Sequence, residues 1–399
     1  MTFINFIKTK KRLLLLIALI IVVCSIPLFI WLRMALQPSV VGRPVYVLTD
    51  RSGARTYVIT EDGSLWGWGA APRGYSLTFL SLDVAGSRRP IHIMDGVADI
   101  AVSHNIMMII DLENNLWQWR TSRYIQDSLL WGGERVRVAD YELDPILVME
   151  NVVYISASSG GHFMAIDTDG TLWAWGNNRF GQLGIGVFDY FNEPHEEPVR
   201  VMENIVFVTT APSYTLAIDI DGTLWAWGSN FRGVLGDGTC ESKSTPVPIL
   251  DNIVYASAGS RNAKAIDVYG TLWAWGFNSG LLGVVAHLSR CINCDANFGR
   301  NWHQPYPLSV KENVISVSVG CYTSLAITAD NTLWSWGSSH FGLLGGRGKE
   351  GVVFASIAYS HAVVISEDGT LWSWGRNHSG QLGNGTTSNI GGNRPGRVR

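Results

Sequence analysis

At 399 residues, with 47% hydrophobic and only 16% charged residues, the chain reads as a folded body and not as a disordered one. Its net charge of −3 hides an asymmetry: five of the 30 basic residues and none of the 33 acidic ones lie in the first 33 positions, which leaves the remainder near −8. An acidic remainder speaks against nucleic acid as a partner, because neutralising phosphates needs a basic face.

In chain order, a basic cluster (Lys8, Lys10, Lys11, Arg12) precedes an apolar run from Leu13 to Leu32. Twenty residues at 1.5 Å rise match a hydrocarbon core of roughly 30 Å. A cleaved secretory peptide would have a shorter apolar core and small residues before the cut, whereas this run ends in Trp31 and Arg33. A lipoprotein signal through Cys24 fits poorly, because bulky Val23 precedes it. The expectation is a single-pass signal-anchor: residues 1–12 cytoplasmic, 13–32 in the membrane, 33–43 a linker, and 44–399 outside the cell membrane.

Beyond the linker the pattern Trp-x-Trp occurs seven times: Trp66/Trp68, Trp117/Trp119, Trp173/Trp175, Trp225/Trp227, Trp273/Trp275, Trp334/Trp336 and Trp372/Trp374. A period near 50 residues is the mark of a repeat architecture. Each unit reads as four short strands. In the third unit these are NVVYISA from Asn151, HFMAID from His162, TLWAWG after an Asp-Gly hairpin turn, and PVRVMEN from Pro198. Proline at the start of the last strand suits an outer edge, where no ladder donor is needed.

Residues two apart in a strand share a face, so Trp173 and Trp175 point one way and Leu172 and Ala174 the other. Both faces are apolar, and each sheet must lie between two neighbours. Repeated sheets stacked face to face and closed into a ring make an all-β, seven-bladed β-propeller, here preceded by one transmembrane helix. The tryptophans are then mid-strand core and not stacking platforms for a sugar or base.

The unit HxxxAIDxDGTLWAWGxNxxGQLGxG resembles the regulator-of-chromosome-condensation repeat family, over essentially everything after Gly42. That resemblance implies a seven-bladed propeller, the number that direct counting also gives. Departures are informative. The histidine before the second strand stands at His104, His162 and His361, and is replaced by Arg55, Tyr214, Asn262 and Thr323. Gly-Gln-Leu-Gly is intact only at Gly181 and Gly380, and the sixth unit runs through GLLGGRGKEGVVFAS without a proline strand, which predicts a trimmed sixth blade. PVYVL at the start of the body and RPGRVR at the end read as first and fourth strands, so the two ends are expected to meet and close the ring.

Candidate chemistry is sparse. Asp167/Asp169 and Asp219/Asp221 resemble the opening of a calcium loop but lack the later ligands, so hairpin turns explain them. His287, Cys291, Cys294 and His303 lie within one insertion, and the reading there is a disulfide or free thiols ahead of a metal site. No nucleophile elbow, phosphate loop or zinc-protease motif occurs. The chain is therefore expected to be a non-enzyme with no cofactor, no catalytic residues and no metal ligands.

Binding residues are expected where insertions interrupt the repeat. The second unit offers Arg123, Tyr124 and Trp131, the third Phe188, Tyr190 and Phe191, and the fifth Trp302 and Tyr306. Aromatic and arginine side chains are the usual anchors of protein interfaces. The expected partner is an extracytoplasmic protein. A cell-wall glycan is the alternative, and nucleotide exchange on a small GTPase, an activity the family resemblance brings with it, a remoter one.

Overall fold

The computed structural model describes residues 44–49, 55–69, 87–103, 106–120, 145–190, 194–278, 280, 282–283, 303–321, 323–337, 346–357, 361–388 and 395–398. They form seven four-stranded antiparallel sheets, each with its strands in sequence order from first to fourth. Blade 3, for example, consists of Val152–Ala157, His162–Asp167, Leu172–Gly176 and His195–Met202. First strands of neighbouring blades pack on one another and so surround the axis, while fourth strands form the outer edge. The segment 13–32 lies outside the described residues, and among those residues no helix is long and apolar enough to cross a membrane.

Seven hydrophobic clusters fill the ring, and each joins two adjacent blades. The apolar residues on both faces of a blade are thus sandwiched. The second tryptophan of a pair lies in the joint: Trp68, Trp227, Trp275 and Trp374 are at most 1% exposed. Burying a side chain of that size stabilises by about 4–5 kcal/mol on area alone. The first tryptophan is only half-buried. Its indole instead donates to the aspartate that opens the hairpin, as in Trp173 Nε1 to Asp167 Oδ2 at 2.9 Å, and Trp117, Trp225 and Trp273 repeat the bond. The pair therefore has two tasks, where equal burial of both was expected.

In blades 3, 4 and 7 the loop after the third strand completes the joint. The Gln182 carbonyl of blade 3 accepts from Trp227 Nε1 (2.9 Å) and Thr215 Oγ1 (2.9 Å) of blade 4. Gln381 of blade 7 does the same for Trp68 and Thr56 of blade 1. Gly184 shows why the last glycine of Gly-Gln-Leu-Gly is needed: its φ is +78°, and a Cβ there would come within 2.8 Å of Trp227 Nε1. The buried histidines serve this joint as well, His162 Nε2 meeting Thr215 Oγ1 at 3.2 Å and His361 Nε2 meeting Thr56 Oγ1 at 2.9 Å. They bridge strands of neighbouring blades.

Nearer the axis, serines tie the first strands together. Ser156, Ser257, Ser318 and Ser356 accept from the backbone N–H of Thr210, Val319, Ile357 and Thr49 in the following blade, at 3.1–3.2 Å. Leu48 and Ala101 hold the equivalent place in blades 1 and 2, and neither can accept such a bond.

The sixth blade is trimmed as expected, its fourth strand being only Gly346–Arg347. The fourth strand of blade 3 begins at His195, upstream of Pro198, and its register breaks around the proline. Ring closure follows the expectation in outcome. The first strand of blade 1, Pro44–Thr49, packs against the first two strands of blade 7, and Val47 and Val398 share one cluster. Each terminal strand nonetheless stays in its own sheet, so the closing seam is built like the other joints.

Candidate functional site

Alternating strand direction gives the ring two unlike ends. Hairpins between second and third strands, with the turns after fourth strands, form one. Among the described residues, loops after first and third strands form the other, with residues 187–190 of the third unit among them.

The hairpin end displays carboxylates held as anions. Burial alone would raise the pKa of Asp167, but the Trp173 indole and the backbone N–H groups of Thr171 and Asp169 outweigh it and hold it below the ordinary carboxylate range. Asp111 and Asp267 have the same balance. At Asp62 and Asp330 the first cause is a threonine hydroxyl, from Thr60 and Thr328. These acids are consumed by turns and indoles, as the hairpin reading required.

At the loop end of blades 3, 4 and 7 one asparagine organises the loop after the third strand. Asn178 Oδ1 accepts the backbone N–H of Leu183 at 3.0 Å, and Asn230 and Asn377 do the same for Leu235 and Leu382. The leucine is thereby pinned under the loop, and the two residues after the asparagine stand at its apex. In blades 3 and 4 those are an arginine and a phenylalanine in opposite order. Arg179 lies 5.6 Å from the Phe180 ring and Arg232 lies 4.9 Å from the Phe231 ring.

Of the residues expected to bind, three are described. Phe188 and Tyr190 stack on each other, with centroids 5.8 Å apart and planes 16° apart. Asp189 between them accepts from Asn178 Nδ2 (2.6 Å) and meets His195 Nε2 (3.1 Å), which fixes the insertion and turns the Tyr190 ring outward at 55% exposure. Tyr306, 56% exposed, lies across Gly238 of blade 4, where a Cβ would come within 2.3 Å of the ring. Arg123, Tyr124, Trp131, Phe191 and Trp302 lie outside the described residues, as do His287, Cys291 and Cys294. His303 opens the fourth strand of blade 5 with its ring 6.2 Å from that of Phe277. No group of three or more His, Cys, Asp or Glu side chains that could hold a metal occurs among the described residues.

Sequence reading missed Phe180, Phe231, Arg232, Arg261 and Phe277, which stand at the same end outside the insertions. It also missed aromatic contacts around the axis. The third residue of five first strands is aromatic, and neighbours meet at 5.3 Å (Tyr154–Phe207), 5.1 Å (Phe207–Tyr255) and 5.4 Å (Tyr46–Phe354). The signal for the axial aromatics was positional: the same place in five first strands carries the ring.

Models of the regulator of chromosome condensation (RCC1) repeat match residues 152–182, 314–343 and 356–381, and residues 169–218 and 221–266. The ultraviolet-B receptor UVR8 of Arabidopsis thaliana is 30% identical over 190 residues, which is 46% of this chain and 41% of that protein. The chain thus spans less than half the length of this relative. Among solved structures, human WBSCR16 superposes with a TM-score of 0.60 at 19% identity, covering 78% of this chain and 84% of that one. Yeast RCC1 (Prp20), solved bound to Kap60, gives a TM-score of 0.60 at 20% identity, covering 78% of each chain. At such identities the two structures speak for the fold alone. With matched repeats running through blades 3 to 7, this chain carries repeats of the regulator of chromosome condensation type.

Proposed function

We propose that the chain is a membrane-tethered, extracytoplasmic, protein-binding propeller whose partner docks on the loop end. Propellers of this repeat type are protein-interaction modules, and the question is which surface this one offers. The observation that carries the reading is the placement of exposed aromatic side chains. Phe180, Tyr190, Phe231 and Tyr306 are all more than a third exposed at the loop end, against Tyr269 alone at the hairpin end among the described residues. Rings with two side-chain torsions and a large apolar face are efficient anchors, and arginines beside them add directional donors. The apolar run 13–32 supports the tether. Cys240, in the loop after the third strand of blade 4, is disulfide-bonded, which suits an oxidising compartment.

The test is capture of partners from intact membranes after cross-linking. Joint replacement of Tyr190 and Tyr306 by alanine is expected to abolish the captured species while leaving the thermal transition in place. Capture unchanged in that variant would contradict the choice of surface.

A further inference from the structure

The joint between blades 5 and 6 is built less completely than its siblings. Where His162 meets Thr215 between blades 3 and 4, and His361 meets Thr56 between blades 7 and 1, it has Asn262 and Ser324. Both are fully buried, and Asn262 Nδ2 and Ser324 Oγ have no hydrogen-bond partner. The loop after the third strand of blade 5, from Asn278 to Gly283, is one residue shorter than that of blade 3, from Asn178 to Gly184. Asn178 Oδ1 accepts from Leu183, whereas Asn278 Oδ1 is buried and idle. Trp336, alone of the seven second tryptophans, is only half-buried. The fourth strand that braces the outer edge of blade 6 is no more than Gly346–Arg347.

Into this joint blade 5 sends a lysine. Side chains two apart share a strand face, and Lys264 shares with Ile266 the face turned toward blade 6. It is fully buried, its Nζ donates to Asn262 Oδ1 at 2.8 Å, and the amine stands 5.7 Å from the Trp336 ring. Among the described residues, the faces turned toward it carry Asn262 and Ile266 on its own strand, Leu272 and Ala274 on the third strand, and Ser324, Ala326 and Trp336 of blade 6. None of these side chains is charged. Of the titratable groups around the joint, Tyr255 lies nearer the axis, Asp267 holds the Trp273 indole, and Cys321 meets Ser260 Oγ at 3.2 Å. Arg261 lies against Phe277 and Lys311 over Trp334. Burial lowers the pKa of Lys264 from 10.5 to about 7. An ammonium in this place gives up hydration that an apolar wall does not replace. Water entering the joint would solvate the amine and also satisfy Asn262 Nδ2 and Ser324 Oγ. The charge and the idle groups therefore favour the same opened state.

We propose that the joint between blades 5 and 6 is a proton-linked seam: uptake of one proton by Lys264 opens this joint locally, while the joints closed by a histidine–threonine bridge stay shut. Local opening draws on the elements whose contacts are least complete, and the short loop, the half-buried Trp336 and the two-residue fourth strand all meet here. The sign follows from linkage. In the open joint the amine keeps its ordinary value of 10.5, and in the closed one it titrates at about 7, so between those values the open state binds more protons. Opening grows as pH falls through that interval and levels off below about 7.

Four backbone amides cross joints near the axis and report on them one by one. Thr210 donates to Ser156 between blades 3 and 4, Val319 to Ser257 between 5 and 6, Ile357 to Ser318 between 6 and 7, and Thr49 to Ser356 between 7 and 1. Residue-resolved hydrogen exchange of the full-length protein in detergent reads each opening, at pH 8.5, 7 and 6 and corrected for the intrinsic pH dependence of exchange. Protection of Val319 is expected to fall about tenfold from pH 8.5 to 7 and less than about threefold from 7 to 6, with the other three amides steady within about twofold. In Lys264→Met, and in Lys264→Gln as a second neutral variant, Val319 should keep its pH 8.5 protection down to pH 6. Protection of Val319 that does not fall between pH 8.5 and 7 in the wild-type protein would overturn the seam. So would a fall shared by all four amides, which marks loosening of the whole ring. A fall that persists in both variants would take the proton away from Lys264 and overturn the proposal as well.

Discussion

Lys264 offers a prediction that can be worked through from its surroundings. It lies in the second strand of blade 5, Asn262–Asp267, where blades 2, 3, 4 and 6 have Met108, Met164, Leu216 and Leu325, and it is fully buried. Its Nζ donates to Asn262 Oδ1 at 2.8 Å and stands 5.7 Å from the Trp336 ring. Burial lowers its pKa from 10.5 to about 7. In the unfolded chain the amine keeps its proton up to about pH 10.5; in the folded protein it releases it near 7. Between those values the unfolded state binds more protons, so stability rises with pH, and below about 7 the full penalty applies. At about 1.4 kcal/mol per tenfold the interval corresponds to an upper value of about 5 kcal/mol, reduced by about 1–2 kcal/mol for the bond to Asn262 that a substitution removes. Lys264→Met should therefore stabilise the protein at pH 7 by several kcal/mol and flatten its dependence on pH. Urea midpoints of both proteins at pH 7, 8, 9 and 10 provide the assay, the two curves converging as pH rises. A variant less stable than wild type at pH 7, or a gap between the curves that does not narrow by pH 10, would refute the reasoning.

Other expectations follow from the joint between blades. Trp227→Ala removes a fully buried indole and its bond to Gln182, and should cost about 3–5 kcal/mol, while Trp225→Ala at the half-buried position should cost clearly less; denaturant titration separates them. Gly184→Ala combines a φ of +78° with a 2.8 Å approach to Trp227 and should lower the melting temperature more than Gly96→Ala, which has φ +77° but nothing within 4 Å. Asp167, whose folded pKa lies below 3.8, contributes stability that is present above that value and lost as pH falls through the folded pKa. Acid titration of Asp167→Asn followed by circular dichroism should show that share of the acid sensitivity gone.

Much of the fold is legible in the sequence because the propeller repeats its cement. Trp-x-Trp marks every third strand, an Asp-Gly turn marks the hairpin before it in units 1, 3, 4 and 7, and the missing proline strand of the sixth unit announces Gly346–Arg347. What the spacing could not carry is which partner each group meets. His162 and Gln182 both act on Thr215 in the next blade, more than thirty residues away, a relation set by closure of the ring and not by local pattern. The candidate site suffers from the same limit. Tyr190 and Tyr306 stand out because insertions interrupt a known unit. Arg232 belongs to the fourth unit and Arg261 and Phe277 to the fifth, outside its insertion, and only the meeting of two blades brings Arg232 over the Phe277 ring.

The central claim, that a protein docks on the loop end, is tested most directly by a photo-reactive amino acid placed in intact cells at Phe231 in one experiment and at Tyr269 in another, both exposed and at opposite ends of the ring. The account predicts a discrete cross-linked partner from position 231 and none from 269. A partner captured only from position 269 would contradict it.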